Sequence, residues 1–180
     1  MHTFQIWLVT TIGGNSPVAD LMRTAWAWPI AESLHFLGLC LLVGAIGTFD
    51  LRLLGVARRV PIAALHRLIP WGLLGFGINI LTGSLFILTE PDQYIYNPSF
   101  HFKLLFMTIG GLNAATFYLT SYRRIFGADA SLDAPARAKV IAAISLCAWI
   151  GVITGGRLLT FYRPAPCDGV QTGLLLTCQP

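Results

Sequence analysis

Residues Ala31–Phe49 read AESLHFLGLCLLVGAIGTF, and from Ser33 to Phe49 the stretch contains no Asp, Glu, Lys or Arg. Crossing ~30 Å of hydrocarbon at ~1.5 Å per residue takes roughly 20 residues, a length this run reaches once its polar ends are counted. Three more charge-free runs follow, at Leu68–Thr89, Leu104–Tyr122 and Val140–Gly156. With 55% hydrophobic and 11% charged residues, the 180-residue chain lacks the polar surface that a soluble domain of its size needs. Its mean hydropathy of +0.68 agrees. These features predict an all-α integral membrane protein. The expected architecture is a four-transmembrane-helix bundle with an N-terminal interfacial helix and an extracytoplasmic tail closed by a disulfide. Residues 1–28 are assigned to the interfacial segment, 29–162 to the membrane domain and 163–180 to the tail.

The apolar stretch Phe4–Ile12 has no Lys or Arg before it and no small-residue cleavage site after it. It is therefore read as retained rather than as a signal peptide. Ser16-Pro17 is a helix start, with serine as the cap and proline at the first helical position. The short amphipathic segment Val18–Trp28 ends in Trp-Ala-Trp, which suits a helix lying in the headgroup region.

The basic residues set an orientation. Arg52, Arg58, Arg59 and Arg67 lie between the first two spans, and Arg123, Arg124, Arg137 and Lys139 between the last two. The other side has Arg23, Lys103, Arg157 and Arg163. Eight against four places both arginine-rich loops in the cytoplasm and both termini outside. The net charge of +4 follows from this arrangement and gives no reason to expect nucleic acid. Cys167 and Cys178 then fall in an oxidising compartment that permits a disulfide between them. Cys40 and Cys147, inside the first and fourth spans, are expected to be small buried packing residues.

Within the chain, Pro29 begins the first span, which continues into Asp50-Leu51-Arg52, expected to mark the cytoplasmic interface. Pro61 opens the second helix and Pro70 should kink it. Pro98 or Ser99 starts the third helix, and the fourth runs from about Pro135 to Leu159. Glycines recur inside all four spans, with Gly151 and Gly155 at small-xxx-small spacing, letting helix backbones approach closely or leaving room for a flat group. Asn79 and Asn113 are expected to hydrogen-bond between helices.

Ionisable groups in a bilayer are costly and need a reason. His35 and His101, on the first and third helices, lie at comparable depth from the outer side. Imidazoles on two helices at one level can ligate a haem iron from opposite faces, which predicts a b-type haem. Lys103 and Arg157 would neutralise its propionates, and Glu32, one turn before His35, would accept the other ring proton and orient the imidazole. The alternative for Glu32 and Lys103 is an interhelical ion pair. His66, beside Arg67, is a capping group, a proton-uptake group or a second metal site. No motif assigns a catalytic residue, and there is no CxxCH, phosphate-binding glycine loop or zinc-type cysteine spacing.

ESLHFLGLCLLVG in the first helix and FHFKLLFMTIGGLNAATFY in the third resemble a group of small bacterial inner-membrane proteins. That group includes the membrane domain of copper-resistance protein D and the haem-containing membrane protoporphyrinogen oxidase. The match to the oxidase is His35 and Lys103; the chain departs from it in its longer front segment and two-cysteine tail. The resemblance implies a haem or redox role in the bacterial inner membrane. The expected function is electron transfer between an extracytoplasmic redox partner and the quinone pool, alone or within a larger complex of membrane or periplasmic redox subunits. The alternatives are a non-catalytic accessory subunit and a copper-resistance-type transporter, against which the scarcity of methionine counts.

Overall fold

A computed structural model describes residues 16–126 and 133–162. In chain order the helices are α1 (Pro17–Met22), α2 (Ala27–Leu53), α3 (Ile62–His66), α4 (Ile69–Thr89), α5 (Pro91–Ile95), α6 (Pro98–Thr120), α7 (Tyr122–Phe126) and α8 (Ala136–Leu158). Four stretches are long and apolar enough to cross a membrane: Ala27–Leu53, Ile62–Thr89, Pro98–Thr120 and Ala136–Leu158. Their outward side chains are large and apolar, among them Phe36, Leu73, Leu81, Leu112, Leu119 and Ile150, a surface suited to acyl chains rather than water. Cys167 and Cys178 lie outside the described residues, as do Phe4–Ile12 and Arg163.

Local chemistry sets the helix ends. Ser16 Oγ accepts from the Ala19 N–H at 3.2 Å and Pro17 takes the first position of α1. This helix stops at Met22, well short of the Val18–Trp28 segment expected. α2 starts two residues before Pro29, so the proline sits in a first turn, where its missing N–H breaks no helical bond. Asn97 caps α6 by accepting from the Ser99 N–H at 2.9 Å. It also donates to the backbone carbonyls of Leu159 and Tyr162, tying the start of α6 to the end of α8. The second span departs from expectation at Pro70. The chain breaks at Arg67–Leu68 and α4 begins at Ile69, so Pro70 falls in a first turn and the kink is replaced by a break between α3 and α4.

The spans pack as two antiparallel hairpins. Along α2 and α4 the contacts run in opposite order: Ala45 meets Gly72, Gly38 meets Gly75 and His35 meets Gly83. Gly38 and Gly75 are the closest approach, since a Cβ on Gly38 would stand 2.8 Å from the Gly75 carbonyl oxygen. Asn79 fills the space beside Gly38, but it donates to the Gly75 carbonyl of its own helix at 2.9 Å rather than across to α2. In the second hairpin the Phe106 ring lies on Gly151 and the Lys103 stem on Gly155, so the small-xxx-small pair is a seat for α6. Asn113 donates to the Ile141 carbonyl of α8 at 2.9 Å, the interhelical bond expected of it.

The hairpins join most closely at the arginine-rich end. There Phe49 and Leu53 of α2, Ile62 of α3, Phe117 of α6, Ile125 of α7 and Ala138, Ile141 and Ala142 of α8 form one apolar cluster. A smaller cluster at the opposite, His35 end gathers Met22, Ala31 and Phe86 from α1, α2 and α4.

Two expectations about exposure are corrected. Asp50 and Arg52 do not mark a solvated interface, being 5% and 2% exposed. Arg52 turns back along its own loop and donates to the carbonyls of Val60 (2.5 Å) and Arg58 (3.0 Å), satisfying backbone groups that no helix pairs. Asp50 is hydrogen-bonded to the side chain of Ser145 on α8. Cys40 and Cys147 are exposed rather than packed inside.

Candidate functional site

His35 leaves α2 toward α4, where its Nδ1 lies 2.7 Å from Thr82 Oγ1. The Thr82 hydroxyl also donates to the Ile78 carbonyl at 2.8 Å, the ordinary i−4 bond of a threonine in a membrane helix. A hydroxyl has one proton to give. With that proton on Ile78, Thr82 can only accept from His35, which places the imidazole proton on Nδ1 and leaves the Nε2 lone pair free. The ring is further fixed by Phe86, with centroids 5.6 Å apart, and by Gly83, whose missing Cβ would stand 3.8 Å from His35 Cε1.

Across the seam between hairpins, Lys103 of α6 lies over two glycines of α8. Its Cβ is 3.2 Å from the Cβ position of Gly155, and its Nζ 4.0 Å from that of Gly156. Lys103 is close enough to His35 to act on it electrostatically. Phe76 of α4 and Trp149 of α8 meet edge to face at 6.3 Å along the same seam. Arg157 follows directly on Gly156, exposed near the end of α8. The structure thus gathers an imidazole with an open nitrogen and two cations at one end of the bundle.

Glu32 and His101 have other places. Thr82, not Glu32, holds the imidazole. Arg23 pairs with Asp20 and Lys139 with Asp133, and no Glu32–Lys103 ion pair forms among the described residues. Glu32 is exposed and acts instead on Tyr94 of α5. His101 precedes Lys103 by two residues, about 200° of rotation around the helix. Because Lys103 faces α8, His101 projects from the opposite side of α6, exposed, with its ring against Phe100 at 6.3 Å. The described ring contact of His35 is with Phe86, so the two imidazoles expected to face one another turn to different neighbours.

Tyr94 gives this end of the bundle a pH signature. Burial, joined by the negative charges of Glu32 and Glu90, pushes its hydroxyl up to about 12. All three causes disfavour the phenolate, so folded protein holds the proton where an unfolded chain has released it. The stability Tyr94 contributes is therefore complete below pH ~10, the ordinary tyrosine value, and is lost as the pH rises toward 12. Glu32→Gln removes one of the charges and is expected to lower the Tyr94 midpoint, read as phenolate absorbance during an alkaline titration against wild type. An unchanged midpoint would separate Glu32 from Tyr94.

His66 lies at the other end. Its Nε2 is 3.3 Å from the Tyr118 hydroxyl. Four rings surround it, with centroids at 5.7 Å (Phe49), 6.1 Å (Tyr118), 5.6 Å (Tyr122) and 4.8 Å (Phe126).

Nothing in the sequence marks Thr82 or Tyr118 as functional. A threonine in an apolar helix carries no signal of its own, and only the register between α2 and α4 reveals that it meets His35. Tyr118 becomes visible only when the break after His66 turns α3 toward α6. No family model, curated protein or solved structure matches the chain.

Proposed function

We propose that the chain is a b-type haem-binding membrane protein that passes electrons between an extracytoplasmic redox partner and the quinone pool. In this reading it is a superfamily-level relative of copper-resistance protein D and the membrane protoporphyrinogen oxidase. It lies in the bacterial inner membrane with both termini outside. The observation that carries the proposal is the His35–Thr82–Ile78 chain. A histidine that ligates a metal needs its other ring nitrogen held by an acceptor, and Thr82 provides this inside an apolar bundle.

The donor set fits the group. His35 Nε2 would hold the iron, and Lys103 and Arg157 would neutralise the carboxylates. His101 has no part in it, because it stands on the far side of α6. Haem, when bound, supplies the one-electron chemistry. The chain's own residues ligate, shield from water and balance charge.

The test is the visible spectrum of detergent-solubilised protein from haem-replete cells, with and without dithionite. A reduced-minus-oxidised haem difference spectrum is expected, and His101→Gln is expected to leave the position and intensity of its bands unchanged. A wild-type sample without bands overturns the proposal; loss of the bands in His101→Gln would overturn the exclusion of His101.

A further inference from the structure

We infer that His66 and Tyr118, at the arginine-rich end of the bundle, form a binding site for the headgroup of a lipid-soluble quinone. That a quinone is the natural occupant rests on the electron-transfer reading; the geometry of the site stands apart from the haem residues.

The site has a donor pair at the edge of an apolar surface. His66 belongs to α3 and Tyr118 to the last turn of α6, and the polar atoms they bring together, Nε2 and the phenolic oxygen, are 3.3 Å apart. Neither group is used up. A tyrosine hydroxyl both donates and accepts, and the second ring nitrogen of His66 has no hydrogen bond among the described residues. One wall of the ring cluster, Phe49, belongs to the buried core, whereas Tyr118 and Tyr122 are 45% and 36% exposed. The cluster therefore opens sideways, onto a face that continues along α6 through Ala115 and Leu119.

The chemistry of the occupant follows from these surroundings. Tyr118, Tyr122 and Phe126 form a run of rings spaced 5.5 and 4.8 Å apart, offering a π surface for a flat ring. The paired His66 and Tyr118 offer hydrogen bonds to a carbonyl at the edge of such a ring. An apolar tail on the ligand would stay in the acyl chains beside Ala115 and Leu119. A quaternary ammonium is disfavoured because an aromatic box must be empty to receive it, and here the imidazole fills the box. A phospholipid phosphate would find the exposed Arg123 and Arg124 next to the site before it found a neutral tyrosine.

The experiment uses full-length protein in proteoliposomes and a photoreactive azidoquinone with a short isoprenoid tail, with cross-links mapped by peptide mass spectrometry. Labelling is expected on the segments carrying His66 and Tyr118–Phe126, and excess unlabelled short-chain quinone should compete it away. Tyr118→Phe keeps the ring and the packing but loses one hydrogen bond. It is expected to weaken competition about 5- to 10-fold, the affinity equivalent of one neutral hydrogen bond. Labelling spread evenly over lipid-facing residues, or equal competition in wild type and Tyr118→Phe, would overturn the site. So would protection by anionic phospholipid in place of quinone. The visible spectrum of the same sample reads the haem separately: a sample without haem bands that still labels at Tyr118 supports the quinone site while sinking the haem proposal.

Discussion

Gly75→Leu is expected to abolish the folded bundle. Even a single methyl at this position would come into contact with the Gly38 carbonyl oxygen, 2.8 Å from the Leu42 nitrogen and 2.9 Å from the Leu41 Cβ. Two of these three are backbone atoms of the facing helix, which cannot rotate aside as a side chain can. Overpacking usually costs about 1–3 kcal/mol where neighbours can adjust. Here the only relief is to part α2 from α4, which also breaks the His35–Thr82 bond and uncovers Gly72. That loss is comparable with the whole stability of a small domain, about 5–15 kcal/mol. Gly77→Leu is the matched control: same helix, same change in volume, but with nothing within 4 Å of its Cβ position. Thermal unfolding in detergent should show a cooperative transition for wild type and Gly77→Leu and none for Gly75→Leu. A Gly75→Leu melting point within a few degrees of wild type would mean that the two helices do not meet there.

The contrast between these glycines shows which parts of the structure the sequence exposes. Both are glycines in one apolar run, and nothing in the run distinguishes the one at the crossing from the one on the surface. In water a helix advertises its inner face by apolar periodicity; in lipid both faces are apolar and the periodicity vanishes. Charge-free length was therefore enough to identify the four spans, and Pro98 and Ser16-Pro17 located helix starts, because those signals are local. The facing of Cys40, Cys147 and His101 could not be read in the same way. All three needed the rotation of each helix about its axis, which is fixed by contacts such as Phe106 on Gly151.

The burial of Asp50 and Arg52 is hidden from the sequence for a related reason. Asp and Arg at the end of an apolar run ordinarily mark the membrane boundary, and the sequence gives that pattern at Asp50 and Arg52. The loop that follows folds back over them, using Arg52 as the donor for its own carbonyls, while Ser145 arrives from a helix nearly a hundred residues later. In the candidate haem site the same division holds. The presence of His35 and Lys103 was legible as ionisable groups where lipid makes them expensive. Which histidine partners the lysine was not, because His101 and Lys103 are neighbours in sequence but stand on opposite sides of one helix.

His35→Gln is expected to eliminate the reduced-minus-oxidised bands, and Thr82→Val to weaken haem binding by a graded amount. Glutamine cannot supply an imidazole nitrogen, so the first substitution removes the iron ligand outright. Valine matches threonine in shape but accepts no hydrogen bond, so the second leaves His35 in place with its Nδ1–H unpaired and its ring free to turn. Losing such a supporting bond typically costs 10–100-fold in metal affinity. Thr82→Ser restores the hydroxyl and should recover most of that loss, which a purely steric role for Thr82 would not allow. Haem titration into the apoprotein, followed by absorbance, measures all three variants on one scale. The unpaired Nδ1–H also costs about 1–3 kcal/mol of folding free energy. A parallel melt of the apoproteins is therefore needed to separate lost ligation from lost fold. If Thr82→Val binds haem as tightly as wild type while melting lower, the His35–Thr82 bond belongs to the packing of α2 on α4 alone, and the ligand assignment loses its main support.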